Sequence, residues 1–178
     1  MKWIIASDIH GSDFFGGKLL DAFQRENGDR LLLLGDLLYH GPRNDLPTEY
    51  DPKSLVGRLN AIKEKVVSVR GNCDSEVDQI VLKFPIMSDY NILEIDGKTI
   101  FATHGHIYNE NNMPPLGLCD ILLTGHTHVP KFTKHLDYIY MNPGSVSIPK
   151  ENSWNGYMVL ENGIFIWKDL DGNEKLRL

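Results

Sequence analysis

The chain has 178 residues, 42% of them hydrophobic and 24% charged, with a formal net charge of -6. That length suits one domain, 1–178, with a substantial core, and its apolar runs fall far short of the roughly 20 residues a bilayer crossing needs. With no run of Lys or Arg, the composition excludes a non-specific grip on long nucleic acid, which rests on many cationic contacts.

Lys2–Ser7 reads as a short β-type run followed by a loop, Asp8–Gly11. Because Met1 and Lys2 lead directly into Trp3-Ile4-Ile5-Ala6, no cleavable signal is expected and the cytoplasm is the simplest compartment. A helix fits Ser12 to about Asn27: Ser12 can cap it, Phe15, Leu19, Ala22 and Phe23 share one face, and Gly28 suits the C′ position. Arg30–Leu34 is a continuous apolar strand of the kind covered on both faces. A polar loop, Leu37–Tyr50, leads to Asp51-Pro52, a cap and first helical residue, with Leu55, Leu59 and Ile62 on one face. Val66–Val69 is another buried-type strand ending at Gly71. Ser75–Phe84 is expected as a short helix capped by Asp74, with Val77, Ile80 and Val81 inward.

From Tyr90 the pattern changes to hairpins. Asn91–Ile95 and Lys98–Thr103 flank Asp96-Gly97, a strong two-residue turn signal. Ile121–Thr124 is a buried strand, Lys131–His135 and Tyr138–Met141 form a second hairpin, and Asn142-Pro143-Gly144-Ser145 follows as a turn. Gly156–Leu160 and Phe165–Lys168 flank Asn162-Gly163 in a third. The expected fold is α/β, a two-sheet sandwich flanked by helices. Cys73 and Cys119 lie far apart and are expected to stay unpaired; Cys119 and His135 read as structural.

Five clusters of metal-ligand residue types close these strands: Asp8-Ile9-His10, Gly35-Asp36, Gly71-Asn72, Thr103-His104-Gly105-His106 and Gly125-His126-Thr127-His128. Asp8 and His10, like His126 and His128, are one residue apart and share a side of an extended segment. Asp36 can bridge two cations because a carboxylate has two oxygens, and Gly71 permits a tight turn before Asn72. Taken singly, each piece has a plainer reading: a turn or cap residue, or polar side chains on a wet strand face. Those readings predict scattered positions, whereas five of the seven histidines fall inside the clusters. A mixed N/O set without thiolate ligation suits Mn²⁺, Fe²⁺ or Zn²⁺. Two such ions activate water and polarise a phosphoryl group, and they supply locally the positive charge that the chain lacks overall.

These motifs, in this order, resemble those of the calcineurin-like metallophosphoesterase superfamily. Gly71-Asn72-Cys73-Asp74 and Tyr39-His40-Gly41-Pro42-Arg43-Asn44 narrow the resemblance to small bacterial phosphodiesterases of the YfcE type, from Lys2 to about Pro149. The resemblance implies that Asp8, His10, Asp36 and His128 hold one divalent metal and that Asp36, Asn72, His104 and His126 hold the other. Mn²⁺ is the favoured ion, with Fe²⁺, Zn²⁺ and Ni²⁺ as alternatives.

Where many members of the superfamily carry a histidine after Gly-Asn, this chain has Cys73, as the YfcE-like group does. A neutral thiol is a poor proton donor to a leaving group. Cys73, His106 and Arg43 are the residues expected to meet substrate, Arg43 because guanidinium matches two phosphate oxygens at once.

The leading function is a phosphodiesterase with a bridging hydroxide nucleophile; phosphomonoester hydrolysis at the same site is the alternative. The retromer subunit of eukaryotes resembles this fold and acts chiefly as an interaction scaffold, but a scaffold has no need of seven intact ligands. The expected partner is a small phosphoester. A homo-oligomer is compatible with the sequence, which carries no interface signature.

Overall fold

The computed structural model describes residues 1–114 and 119–178. In its first half, strands alternate with helices: β1 (Trp3–Ala6), α1 (Asp13–Arg25), β2 (Arg30–Leu33), α2 (Pro52–Ala61), β3 (Val66–Ser68) and α3 (Glu76–Val81). The second half is built from strands: β4 (Tyr90–Ile95), β5 (Lys98–Thr103), β6 (Ile121–Leu123), β7 (Pro130–Lys134), β8 (Ile139–Pro143), β9 (Gly156–Glu161), β10 (Ile164–Asp169) and β11 (Glu174–Arg177). One sheet has the order β11-β10-β9-β1-β2-β3 and the other β4-β5-β6-β8-β7. The segments β1, β2, β3 and β5, β6, β8 run parallel within their sheets, and parallel neighbours require long crossovers.

Strand alternation divides the core into layers. Ile4, Ala6, Leu31 and Leu33 pack with Leu19, Phe23, Leu55 and Leu59 of α1 and α2. Trp3, Ile5 and Leu32 face the other way and meet Ile100, Ala102, Ile121, Leu123 and Met141 of the second sheet. That double burial is why these strands read as unbroken apolar runs. Phe101, Leu122 and Tyr140 form a smaller cluster on the outer face of the second sheet, with Tyr108, Cys119 and Tyr138 against it. The expected sandwich flanked by helices is what the chain forms.

Local chemistry explains the turns. Asp96-Gly97 and Asn162-Gly163 both take positive φ at the two central positions, the conformation a tight hairpin requires. Ser12 caps α1 by accepting from Phe15 N–H, and Asp51 caps α2 through Ser54 N–H. At the end of α1, however, Asn27 takes the left-handed position at φ 53°, not Gly28. Gly28 is needed for room: a Cβ there would lie 2.7 Å from Phe23 and 2.8 Å from Ile4.

Two further expectations are corrected. The α3 residues Val77, Ile80 and Val81 face outward, at 68, 81 and 44% exposure. The core positions go instead to Leu82, Phe84 and Ile86, just past the helix. The α3 cap is Ser75, in a reciprocal capping box with Asp78, which leaves Asp74 free for another task. The strand β11 lacks an apolar pattern because it is an exposed edge; the Asp171-Gly172 turn was its only local signal. Among the described residues, no helix is long and apolar enough to cross a membrane.

Candidate metal centre

All five ligand clusters leave the C-terminal ends of parallel strands, β1, β2 and β3 in one sheet and β5 and β6 in the other. They meet along one edge of the sandwich, where open α/β sheets place their sites. The segments are not extended as the one-residue spacing implied. Asp8, His10, Asp36, His126 and His128 sit at φ 59, 51, 56, 67 and 61°. Left-handed backbone at a non-glycine costs on the order of 1 kcal/mol or more per residue and persists only where surroundings enforce it. Here Asp8 N–H donates to Gly35 O and His10 N–H to Asp36 O, while Ser145 and Ser147 hydroxyls donate to Asp8 O.

The side chains form two facing groups. Asp8 Oδ1 lies 3.5 Å from His10 Nε2 and 3.2 Å from His128 Nε2. His104 Nε2 lies 3.0 Å from Asn72 Oδ1 and 3.2 Å from His126 Nδ1. Asp36 Oδ2 stands between the groups, 3.6 Å from His10 Nε2 and 3.4 Å from His104 Nε2. Its Oδ1 is occupied, accepting Cys73 N–H at 2.8 Å. Asp36 therefore faces both groups with one oxygen, not with one oxygen each.

Three imidazoles are aimed by the backbone. His10, His104 and His128 each place Nδ1 at 2.7–2.8 Å from a carbonyl, those of Tyr39, Leu34 and Ile148. A carbonyl can only accept, so Nδ1 carries the proton and Nε2 turns its lone pair inward. His10 Nε2 and His128 Nε2 approach to 3.3 Å, and the buried Asp8 Oδ1 beside them meets no donor. Converging lone pairs around a donorless buried carboxylate are what a divalent cation satisfies, so the donor set fits the metal that the motifs imply.

Electrostatics follow the same layout. Burial opposes ionisation of Asp8, yet the His10 and His128 imidazoles hold its carboxyl well below the usual range. Burial also opposes charge on His104, but Asp36 and Asp8 raise it to about 9; the inward lone pair at its Nε2 is therefore exposed only when a bound cation displaces that proton. His126 is lowered to about 4 by burial and by His104.

If cations bind here, a chelator should lower the thermal midpoint, and Mn²⁺ at a hundredfold excess over Kd should restore about 2.7 kcal/mol. Differential scanning calorimetry measures this, and an unmoved midpoint would count against a cation site.

Around the centre lies a polar cleft of about 470 Å³ that includes Asp36, Asn72, Cys73, His126, His128, Arg43 and Lys150 in its lining. Exposed Arg43 and Lys150 give it positive charge outside the ligand set, and Lys150 had no motif to mark it. His106 stands beside His104 and His126, ring centroids 5.3 and 6.2 Å away. Burial and His104 lower its pKa. The Cys73 thiol is pushed up to about 12 by burial and the Asp36 carboxylate, and it is neutral.

Two residues read as caps or turns instead organise the site. Asp74 accepts from Asp36, Leu37 and Gly71 N–H at 2.9, 2.9 and 2.7 Å. Asn142 donates to Gly125 O and Thr127 Oγ1 and accepts from Gly144 N–H, fixing the His126–His128 loop. Gly71 serves close approach more than turn geometry, since a Cβ there would lie 2.1 Å from Asp36 Oδ1.

A family model described as the calcineurin-like phosphoesterase superfamily domain matches residues 1–163. The chain belongs to that superfamily. It is 44% identical over 164 residues to phosphodiesterase YfcE of Escherichia coli K12, covering 92% of this chain and 89% of that protein. The solved structure of the Escherichia coli phosphoesterase Yfce superposes with a TM-score of 0.95 at 42% identity, over 100% of this chain and 98% of that one. Vacuolar protein sorting 29 from Cryptosporidium parvum shares the fold, with a TM-score of 0.67 at 17% identity over 99% and 97% of the two chains. Membership in the superfamily implies divalent metal ions, and Asp8-His10-His128 and Asp8-Asp36-His104 are groups able to hold one.

Proposed function

We propose that this chain is a phosphodiesterase that works with two divalent cations, Mn²⁺ favoured, at the Asp36 centre. The observation that carries the reading is the single Asp36 oxygen facing two sets of inward-aimed donors. The 44% identity to a protein named as a phosphodiesterase supports it. Bound there, the cations would supply an ionised bridging water as nucleophile and positive charge for the phosphoryl oxygens.

The chain's own residues do the rest. Asp8, His10, Asp36 and His128 on one side, and Asp36, Asn72, His104 and His126 on the other, provide eight ligand roles from seven side chains. Arg43 and Lys150 draw the anionic group into the cleft, and guanidinium can match two phosphate oxygens. Cys73 holds Asp36 through its backbone N–H and, as a neutral thiol, protonates no leaving group. His106 stands beside His104 and His126, and contact with the phosphate is the role assigned to it.

This assignment sets a substrate order. A diester carries one negative charge where a monoester dianion carries two, so an anionic nucleophile meets less repulsion. An alkyl monoester also needs a proton delivered to its leaving oxygen, which Cys73 does not deliver. Phosphodiesters and activated aryl esters should therefore outrun alkyl monoesters in kcat/KM, and Cys73→His should gain on monoesters relative to diesters. The test is a panel of matched aryl and alkyl mono- and diesters with Mn²⁺-loaded protein. A wild-type preference for alkyl monoesters, or a ratio untouched by Cys73→His, would refute the role given to Cys73; no turnover of any diester would refute the enzyme reading.

The scaffold reading rests on fold alone, which does not separate enzyme from scaffold. No position of the ligand set carries a non-ligating residue, and that favours the enzyme.

A further inference from the structure

Beside the polar cleft lies a second one of about 480 Å³ that the phosphoryl chemistry does not use. It opens between the start of α2 and α3, and Tyr39, Tyr50, Val56, Val77, Val81 and Cys73 are among its lining. Its size and apolar character are those of a small-molecule site. Two polar members of the lining are spoken for, since Ser75 and Asp78 bond each other in the α3 capping box. The outward turn of Val77 and Val81, unexplained by the core, gives this cleft its far wall.

Two contacts join it to the metal centre. Cys73 lines both clefts, and its Sγ lies within 4.8 Å of ligand atoms of His10 and Asp36. The carbonyl of Tyr39 accepts from His10 Nδ1 at 2.7 Å, so this wall is anchored to a ligand. The His40 ring stands nearly edge-on to Tyr39 and to Tyr50, with centroids 4.8 and 5.2 Å apart, stiffening the aromatic side.

We propose that this cleft seats a planar aromatic arm of the phosphodiester, a nucleobase or an aryl ring, while the phosphate lies between the two ligand groups. The inference rests on the phosphodiesterase reading and adds a substrate class to it. Aromatic rings favour offset or edge contacts with tyrosines, and the valines supply an apolar floor. A second copy of this chain covering α3 is the competing occupant.

The test uses the methyl, benzyl and thymidine 5′ esters of methylphosphonic acid, which share one anionic head and differ in the arm. With Zn²⁺-loaded, diamagnetic protein, one or both aromatic esters should bind about tenfold more tightly than the methyl ester. The methyl resonances of Val56, Val77 and Val81 should shift by ring current. Tighter binding of the thymidine ester identifies a nucleobase, and tighter binding of the benzyl ester an aryl arm. In V77N/V81N the aromatic-to-methyl ratio should fall below about threefold; both positions are exposed, and Asn and Val have similar helix propensities.

Equal wild-type affinities, unmoved valine methyls, or a ratio unchanged in the variant would overturn the proposal. So would a wild-type dimer that V77N/V81N dissociates without any ring binding. Diester turnover without valine shifts sinks this inference alone, whereas absence of all diester turnover sinks the enzyme reading and leaves the valine shifts to report on the cleft.

Discussion

Asp36→Asn is expected to lower kcat for an activated phosphodiester by at least about a hundredfold at saturating Mn²⁺, more than any other exchange in the ligand set. The amide retains the shape of the carboxylate but brings no charge. One of its two terminal atoms becomes a donor. In the structure Oδ1 accepts Cys73 N–H at 2.8 Å, so the amide will keep its oxygen there and turn NH₂ toward His10 and His104. A donor then stands where Oδ2 faces both ligand groups, and both cation positions are lost together. Exchanging His128 or Asn72 weakens one group only. Steady-state kinetics across a Mn²⁺ titration decide the matter; activity within about tenfold of wild type would argue against the shared position.

Asp74→Ala should destabilise the protein by about 3 kcal/mol or more and abolish activity, although Asp74 belongs to neither ligand group. Its two oxygens take three backbone N–H groups, from Asp36, Leu37 and Gly71, and the residue is 2% exposed. Burial, with Asp36 close by, pushes its carboxyl up, and the N–H bonds work against that rise. Removing the side chain orphans three donors, each costing about 1–3 kcal/mol when buried. It also releases the turn that holds Asp36 at φ 56°. Urea denaturation should show the lowered midpoint. A variant with wild-type stability and activity would show that water replaces the carboxylate at no cost.

The legible parts of this molecule are those whose cause is local. Asp96-Gly97 and Asn162-Gly163 fix their own backbone, and Ser12 and Asp51 cap the helices they precede. Strands buried on both faces announced themselves as apolar runs because both layers select for the same residue types. The ligand clusters were legible as polar residues at the ends of such runs, and Asn142 after Met141 follows the same signal. What was hidden depends on partners distant in sequence. Asp74 looked like a cap because a cap is the nearest use for an aspartate before Ser75, while its donors at Asp36 and Leu37 lie 38 and 37 positions away. The left-handed backbone at Asp8 and His128 has no sequence signature apart from the tolerance of Asp and His for it. The inward face of α3 is not legible because its six residues carry too little periodicity, and Leu82, Phe84 and Ile86 take the core positions instead.

If two cations share Asp36, anomalous diffraction at the manganese edge, from crystals grown with Mn²⁺, will show two peaks roughly 3.5–4 Å apart, flanking Asp36 Oδ2, one near Asp8, His10 and His128 and the other near Asn72, His104 and His126. A single peak at full occupancy, or two peaks that do not both touch Asp36, would contradict the shared position.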